Sequence, residues 1–141
     1  MPPSVNLQWP ANGTVDRTRN VQITLDFLFS DANSGMNFPA TMDLDSFVFD
    51  PGDFAASSFG VYINAVESAG DITGGTAVSG TLEFSGQKRL YFVPDPGELT
   101  VGDVVHVRLT DQLTDDCGNP LETPPNGVKL FKFDVVPIAL P

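Results

Sequence analysis

Between Val21 and Ser30 every second residue is apolar: Val21, Ile23, Leu25, Phe27 and Phe29 alternate with Gln22, Thr24, Asp26, Leu28 and Ser30. A period of two lines one face of an extended strand, whereas the same residues would spread around a helical cylinder. The segment therefore reads as a sheet strand packed on one side. Similar runs recur at Val5–Trp9, Phe59–Val66, Thr76–Phe84, Leu90–Pro94, Val105–Leu109 and Phe131–Phe133, with a short strand at Phe47–Phe49. Turn signals separate them: Pro10 to Gly13, Asp50-Pro51-Gly52, the glycine-rich Gly70–Gly75 expected to break a strand, Leu99–Gly102, and Asp115–Pro120. Ala40–Asp45 alone suggests a helical turn. Eight or nine short strands, punctuated by 13 glycines and 12 prolines, predict an all-β sandwich.

At 141 residues the chain fits one domain, and a domain of this size buries roughly two thirds of its unfolded surface, enough for a core without staples. No internal repeat is present, so residues 1–141 read as one module. The single cysteine, Cys117, excludes an intrachain disulfide. Met1-Pro2-Pro3-Ser4 has neither the basic start nor the apolar run of a signal peptide, and no stretch approaches the ~20 apolar residues of a membrane span. The expectation is a soluble domain cut from a longer polypeptide. Proline-rich linkers are expected at residues 1–4 and 137–141, with the targeting signal elsewhere.

Charge narrows the partners. Eighteen acidic residues against seven basic ones give a net charge of −11, which repels phosphate backbones and argues against nucleic-acid binding. An acidic surface of this kind keeps a domain hydrated and monomeric without any ligand. Most of the acids are aspartates, which suit turns and also ligate calcium through oxygen.

The order of motifs resembles a family. Pro10, Gly13, Phe29, Ser30, Met36 and Asn37 follow the pattern of an early Pro-x-x-Gly, an apolar strand ending in Phe-Ser, and a Met-Asn pair. Leu90, Phe92, Pro94, Leu99, Gly102, Asp115, Gly118, Asn119, Leu121, Phe131 and Phe133 then follow Leu-x-Phe-x-Pro, Leu-x-x-Gly, Asp-x-x-Gly-Asn-x-Leu and Phe-x-Phe. In this order the chain resembles the bacterial Ig-like domains of S-layer and other large bacterial surface proteins. Two departures stand out: Val105, where a tyrosine is usual, and Asp31–Gly35, which looks like an insertion. The middle, about Asp50 to Gly80, carries no family signature. The resemblance implies an Ig-like antiparallel β-sandwich of about seven to nine strands. It also implies a non-catalytic structural, spacer or adhesion module, extracellular or at the cell surface. Its partners would then be neighbouring domains of the same polypeptide, or a cell-surface protein or glycan.

Residue chemistry leaves two ligand classes open. Asp111, Asp115, Asp116 and Asn119 fall within one loop and could supply oxygens to calcium, although Asp115, Gly118 and Asn119 also have turn-holding roles. Asp31-x-Asn33-x-Gly35 begins like a calcium loop, but Met36 and Met42 stand where its glycine and closing glutamate belong. Trp9, Tyr62 and Tyr91 could stack on sugar rings, with Tyr91 on the opposite side of its strand from Leu90 and Phe92. Catalysis finds little support. His106, the only histidine, is expected to be an exposed sheet residue opposite Val105, Val107 and Leu109, and Asp115 and Asp116 disfavour a Cys117 thiolate. No cofactor other than calcium is suggested.

Overall fold

The computed structural model describes residues 4–9, 13–15, 23–28, 57–85, 89–95, 97–100, 102–113 and 120–135. Among these the regular elements are all strands: β1 (Ser4–Trp9), β2 (Gly13–Val15), β3 (Ile23–Leu28), β4 (Phe59–Ile63), β5 (Val66–Ser68), β6 (Asp71–Thr73), β7 (Thr76–Ala77), β8 (Gly80–Ser85), β9 (Arg89–Pro94), β10 (Val104–Thr110) and β11 (Val128–Val135). They form a four-stranded sheet in the order β1-β3-β9-β8, a five-stranded sheet in the order β2-β11-β10-β4-β7, and a separate β5-β6 hairpin. Every pairing is antiparallel except that of β2 with β11. The predicted helical turn at 40–45, the strand at 47–49 and the turn at 115–119 lie outside the described residues.

Apolar positions coincide across the pairings, which specifies the register. Ile23 lies opposite Phe92 and Leu25 opposite Leu90, while Val107 lies between Val61 and Phe131 and Val105 between Ile63 and Phe133. A slip of one residue would turn each of these sets outward, so burial selects the alignment. The core draws on both sheets, with Val5, Ile23, Leu25, Leu90 and Phe92 from the first and Phe59, Val61, Val105, Val107, Leu109, Phe133 and Val135 from the second. Leu99, Leu113 and Leu121 close it from the connecting segments. The rings of Phe59 and Phe92 meet across the layers edge to face, with centroids 5.9 Å apart at 64°. The arrangement is sandwich-like, two sheets sharing one apolar interior.

Three expectations about the middle of the chain need correction. The alternation from Phe59 to Val66 is interrupted because Asn64 adopts a left-handed conformation at φ 58°. The glycine-rich Gly70–Gly75 is not merely a break, since it contributes β6. The Thr76–Phe84 run also divides: Thr76–Ala77 pairs with β4, and from Gly80 onward the chain pairs with β9 in the other sheet. Val78, buried at the crossing, donates its amide to the Val61 carbonyl at 2.8 Å.

Gly80 makes the crossing sterically possible. A Cβ there would lie 2.4 Å from the Val93 carbonyl oxygen and 2.6 Å from the Phe92 ring. Gly80→Ala should therefore lower stability by about 1–3 kcal/mol, the usual cost of overpacking. The expected readout is a lower urea midpoint at an unchanged slope.

Candidate functional site

Strand β10 is buried on both sides. Val105, Val107 and Leu109 face the core, and on the other side His106, Arg108 and Thr110 are buried as well. His106, expected on an exposed face, is only 2% exposed. The reason is the β5-β6 hairpin, which lies over this outer face and was absent from the strand pattern read in the sequence.

Ion pairing and hydrogen bonds fasten the hairpin. Arg108 donates from Nε to Asp71 Oδ1 at 2.8 Å and from Nη2 to Asp71 Oδ2 at 3.1 Å. Asp71 Oδ1 also accepts the Ile72 amide at 2.8 Å. Burial by itself would raise the Asp71 pKa, but the Arg108 and Ile72 bonds outweigh it and hold the carboxyl below its ordinary value. At the hairpin tip, Asn126 Nδ2 donates to the Gly70 carbonyl at 2.8 Å and the Ala69 carbonyl at 3.4 Å. At its base, the Asn64 amide donates to the Val104 carbonyl at 2.8 Å, and Asn64 Nδ2 donates to Asp103 Oδ1 at 3.1 Å. Ile72, 1% exposed, is the hairpin's buried apolar residue.

Tyr62, His106 and Lys132 occupy one register row, the first two buried and the lysine exposed, with Ala77 beyond Tyr62. Tyr62 is 5% exposed and its ring lies over Gly60, where a Cβ would come within 2.4 Å of the hydroxyl oxygen. His106 Nε2 lies 3.6 Å from Glu67 Oε1, and neither ring nitrogen has a hydrogen-bond partner among the described residues. Burial holds the imidazole pKa below the ordinary histidine value; Glu67 opposes that shift and Lys132 adds to it. The cluster thus sets an imidazole that is enclosed from solvent and neutral at pH 7 beside a half-exposed carboxylate.

Of the four calcium candidates only Asp111 is among the described residues, and the three aromatic candidates divide between the two sheets. Asp111 is exposed after β10, with its amide bonded to the Gly127 carbonyl at 3.0 Å, while Asp115, Asp116 and Asn119 lie outside the described residues. Among the described residues no three histidine, cysteine or acidic side chains are grouped to hold a metal. No helix there is long and apolar enough to cross a membrane. Tyr62 belongs to the second sheet and is covered, so its ring does not present an open stacking face. Trp9 and Tyr91 belong to the first sheet and share a register row in which Thr24 stands between them and Glu83 flanks Tyr91. Two residue pairs further along, Arg89 is directly opposite Asp26 and donates Nη2 to its Oδ2 at 3.1 Å. Asp26 and then Tyr91 raise the Arg89 pKa.

An open cleft of about 390 Å³ lies between the start of β1 and the approach to β11, lined by Ser4, Val5, Asn6, Glu122, Thr123, Pro124 and Lys129. The Lys129 ammonium is 5.5 Å from the centroid of the Phe131 ring.

The hairpin and its polar underside had a sequence signal that went unread. Val66-Glu67-Ser68 and Asp71-Ile72-Thr73 flank Ala69-Gly70, a two-residue turn bounded by Asn64 and Gly74-Gly75. No family model matches the chain, and neither the curated proteins nor the solved structures contain a match to it.

Asp71→Asn should cost about 1–3 kcal/mol by leaving buried Arg108 without its charged partner. Because the folded pKa of Asp71 is depressed, its stabilisation is present above the ordinary value of 3.8 and is lost as pH falls through the folded pKa. Denaturation curves of the two proteins should consequently converge as pH falls below 3.8 and through the depressed folded pKa. A second substitution probes the turn. Ala69 and Gly70 have φ of 55° and 82°, as a type I′ turn requires, and alanine is strained there where asparagine is favoured. Ala69→Asn should stabilise by about 0.5–1 kcal/mol, seen as a higher melting temperature.

Proposed function

We propose that the chain is a non-catalytic Ig-like module, acting as a spacer or adhesion unit in a larger secreted or cell-surface bacterial protein. The observation that carries this reading is the path of the chain through the two sheets. Taken in sequence as A to G, strands β1, β3, β4, β8, β9, β10 and β11 give an A-B-E-D sheet and a G-F-C sheet, the strand grouping of an Ig domain. Chain direction supports the spacer role. Ser4 and Asn6 line the cleft beside Lys129 near the start of β11, whereas Val135 at its end is bonded to Gly102 and Asp103. Six residues of strand separate these poles, about 20 Å. The module is entered at one pole and left at the other, which suits domains joined in series.

A solution-scattering comparison tests the spacer reading. Two copies joined head to tail through residues 136–141 and 1–3 should have about twice the maximum dimension of one copy. A tandem that folds back side by side would contradict it.

Glycan recognition is the second reading, favoured by Tyr91 and Glu83, which lie opposite each other on neighbouring strands of the first sheet. Tyr91 beside the exposed Glu83 carboxylate on one sheet suits a sugar that offers both an apolar face and hydroxyl groups. Under this reading a glycan array gives hits that Tyr91→Ala abolishes; an array without hits retires it.

A further inference from the structure

We propose that the β5-β6 hairpin is an acid-released flap with His106 as its trigger: protonation of this imidazole lifts the hairpin and uncovers the Tyr62–His106 face of the second sheet. The inference is independent of the module's role as a spacer.

The flap is mechanically separable. β5 and β6 pair only with each other, and no hairpin residue belongs to the central core cluster, so opening need not disturb the sandwich interior. Its neck consists of Asn64 on one side and Gly74-Gly75 on the other, all with positive φ of 58°, 68° and 76°. What holds it down is local: the Asp71–Arg108 pair, the Asn126 bonds to the tip, and burial of Ile72.

His106 is poised against this closure. An imidazolium carries two N–H donors and needs both satisfied, yet neither ring nitrogen has a partner among the described residues. The groups facing it come from every neighbouring strand. β4 supplies Tyr62 and β7 the uncharged Ala77, β6 supplies Asp71, already engaged by Arg108 of β10, and β11 supplies Lys132, with Asp134 two residues along. β5 supplies Glu67, whose oxygen at 3.6 Å is beyond hydrogen-bond range and whose side chain is half exposed. The nearby Lys132 opposes any positive charge. Closed, the site binds a proton less well than the open, hydrated histidine does, so acid shifts the balance toward opening. The sign is consistent with the depressed His106 pKa: closure is favoured above the ordinary value of 6.5 and weakens as pH falls below it.

The chain contains one histidine, so the window between pH 7.5 and 5.5 reports on His106, well above the ordinary range of the carboxylates. Hydrogen–deuterium exchange, corrected for the intrinsic pH dependence, would measure protection of the 66–73 amides against those of β10. Between pH 7.5 and 5.5 hairpin protection should fall by a factor approaching about ten, the ceiling set by an open-state pKa near 6.5, while β10 protection changes less. His106→Gln should remove the pH dependence. Glu67→Gln, which keeps the imidazole and removes its compensating charge, should move the His106 titration followed by NMR to lower pH and leave the hairpin opening in acid. Protection that is flat from pH 7.5 to 5.5, or that falls only below the ordinary aspartate value of 3.8 on the way to the depressed Asp71 pKa, would overturn the proposal.

Discussion

The constraint on which much of the architecture depends is that β10 is buried on both faces. Its inward side is purely aliphatic, Val105, Val107 and Leu109, and interlocks with β4 and β11 by register. Its outward side carries His106 and Arg108, residues that are rarely buried without partners. Arg108 meets that requirement through a two-bonded contact to Asp71, and the segment that brings Asp71 there is the hairpin between β4 and β7. The cover and the cation are thus mutually dependent: without Asp71 the arginine loses its two-bonded carboxylate, and without Arg108 the hairpin loses its ion pair to the sheet.

The two sheets treat their outer faces differently. In the first, Arg89 and Asp26 form a cross-strand pair directly opposite each other, and the arginine remains partly exposed, so its contribution is of the modest, solvent-screened kind. In the second, Arg108 is withdrawn from water and the same chemistry becomes a structural fastening. Neither sheet relies on a disulfide, since the chain holds one cysteine. Apolar contact between the layers, with Phe59 against Phe92 near its centre, takes that cross-linking role.

Much of the scaffold was legible in the sequence because period-two burial writes itself directly into residue order. β3 lies within a segment that alternation marked, and β1, β9, β10 and β11 each contain one and extend beyond it, β11 by five residues. The middle was less legible for a physical reason. β5, β6 and β7 are only two or three residues long, too short for alternation to be distinguished from chance, and their ends are set by backbone conformations at Asn64, Ala69 and the glycines. The setting of His106 followed from the same omission. Alternation correctly put it opposite Val105 and Val107, but exposure depends on what a distant segment covers, and that information resides in tertiary structure.

The hairpin also explains why the polar cluster resembles a reactive site yet has the access of a core. Imidazole, phenol, guanidinium and carboxylates converge on one sheet face, the ingredients of acid–base chemistry, but a general base must reach a substrate proton. Here His106 is enclosed and Tyr62 lies folded over Gly60, while Arg108 and Asp71 satisfy each other. Chemistry-bearing residues in this sandwich are therefore organised around closure of the hairpin. Its strength is set by ionisation states as well as by packing, because only one apolar side chain of the flap, Ile72, is buried. A cover held chiefly by charges and hydrogen bonds responds to pH and salt in a way that the Phe59–Phe92 interior does not.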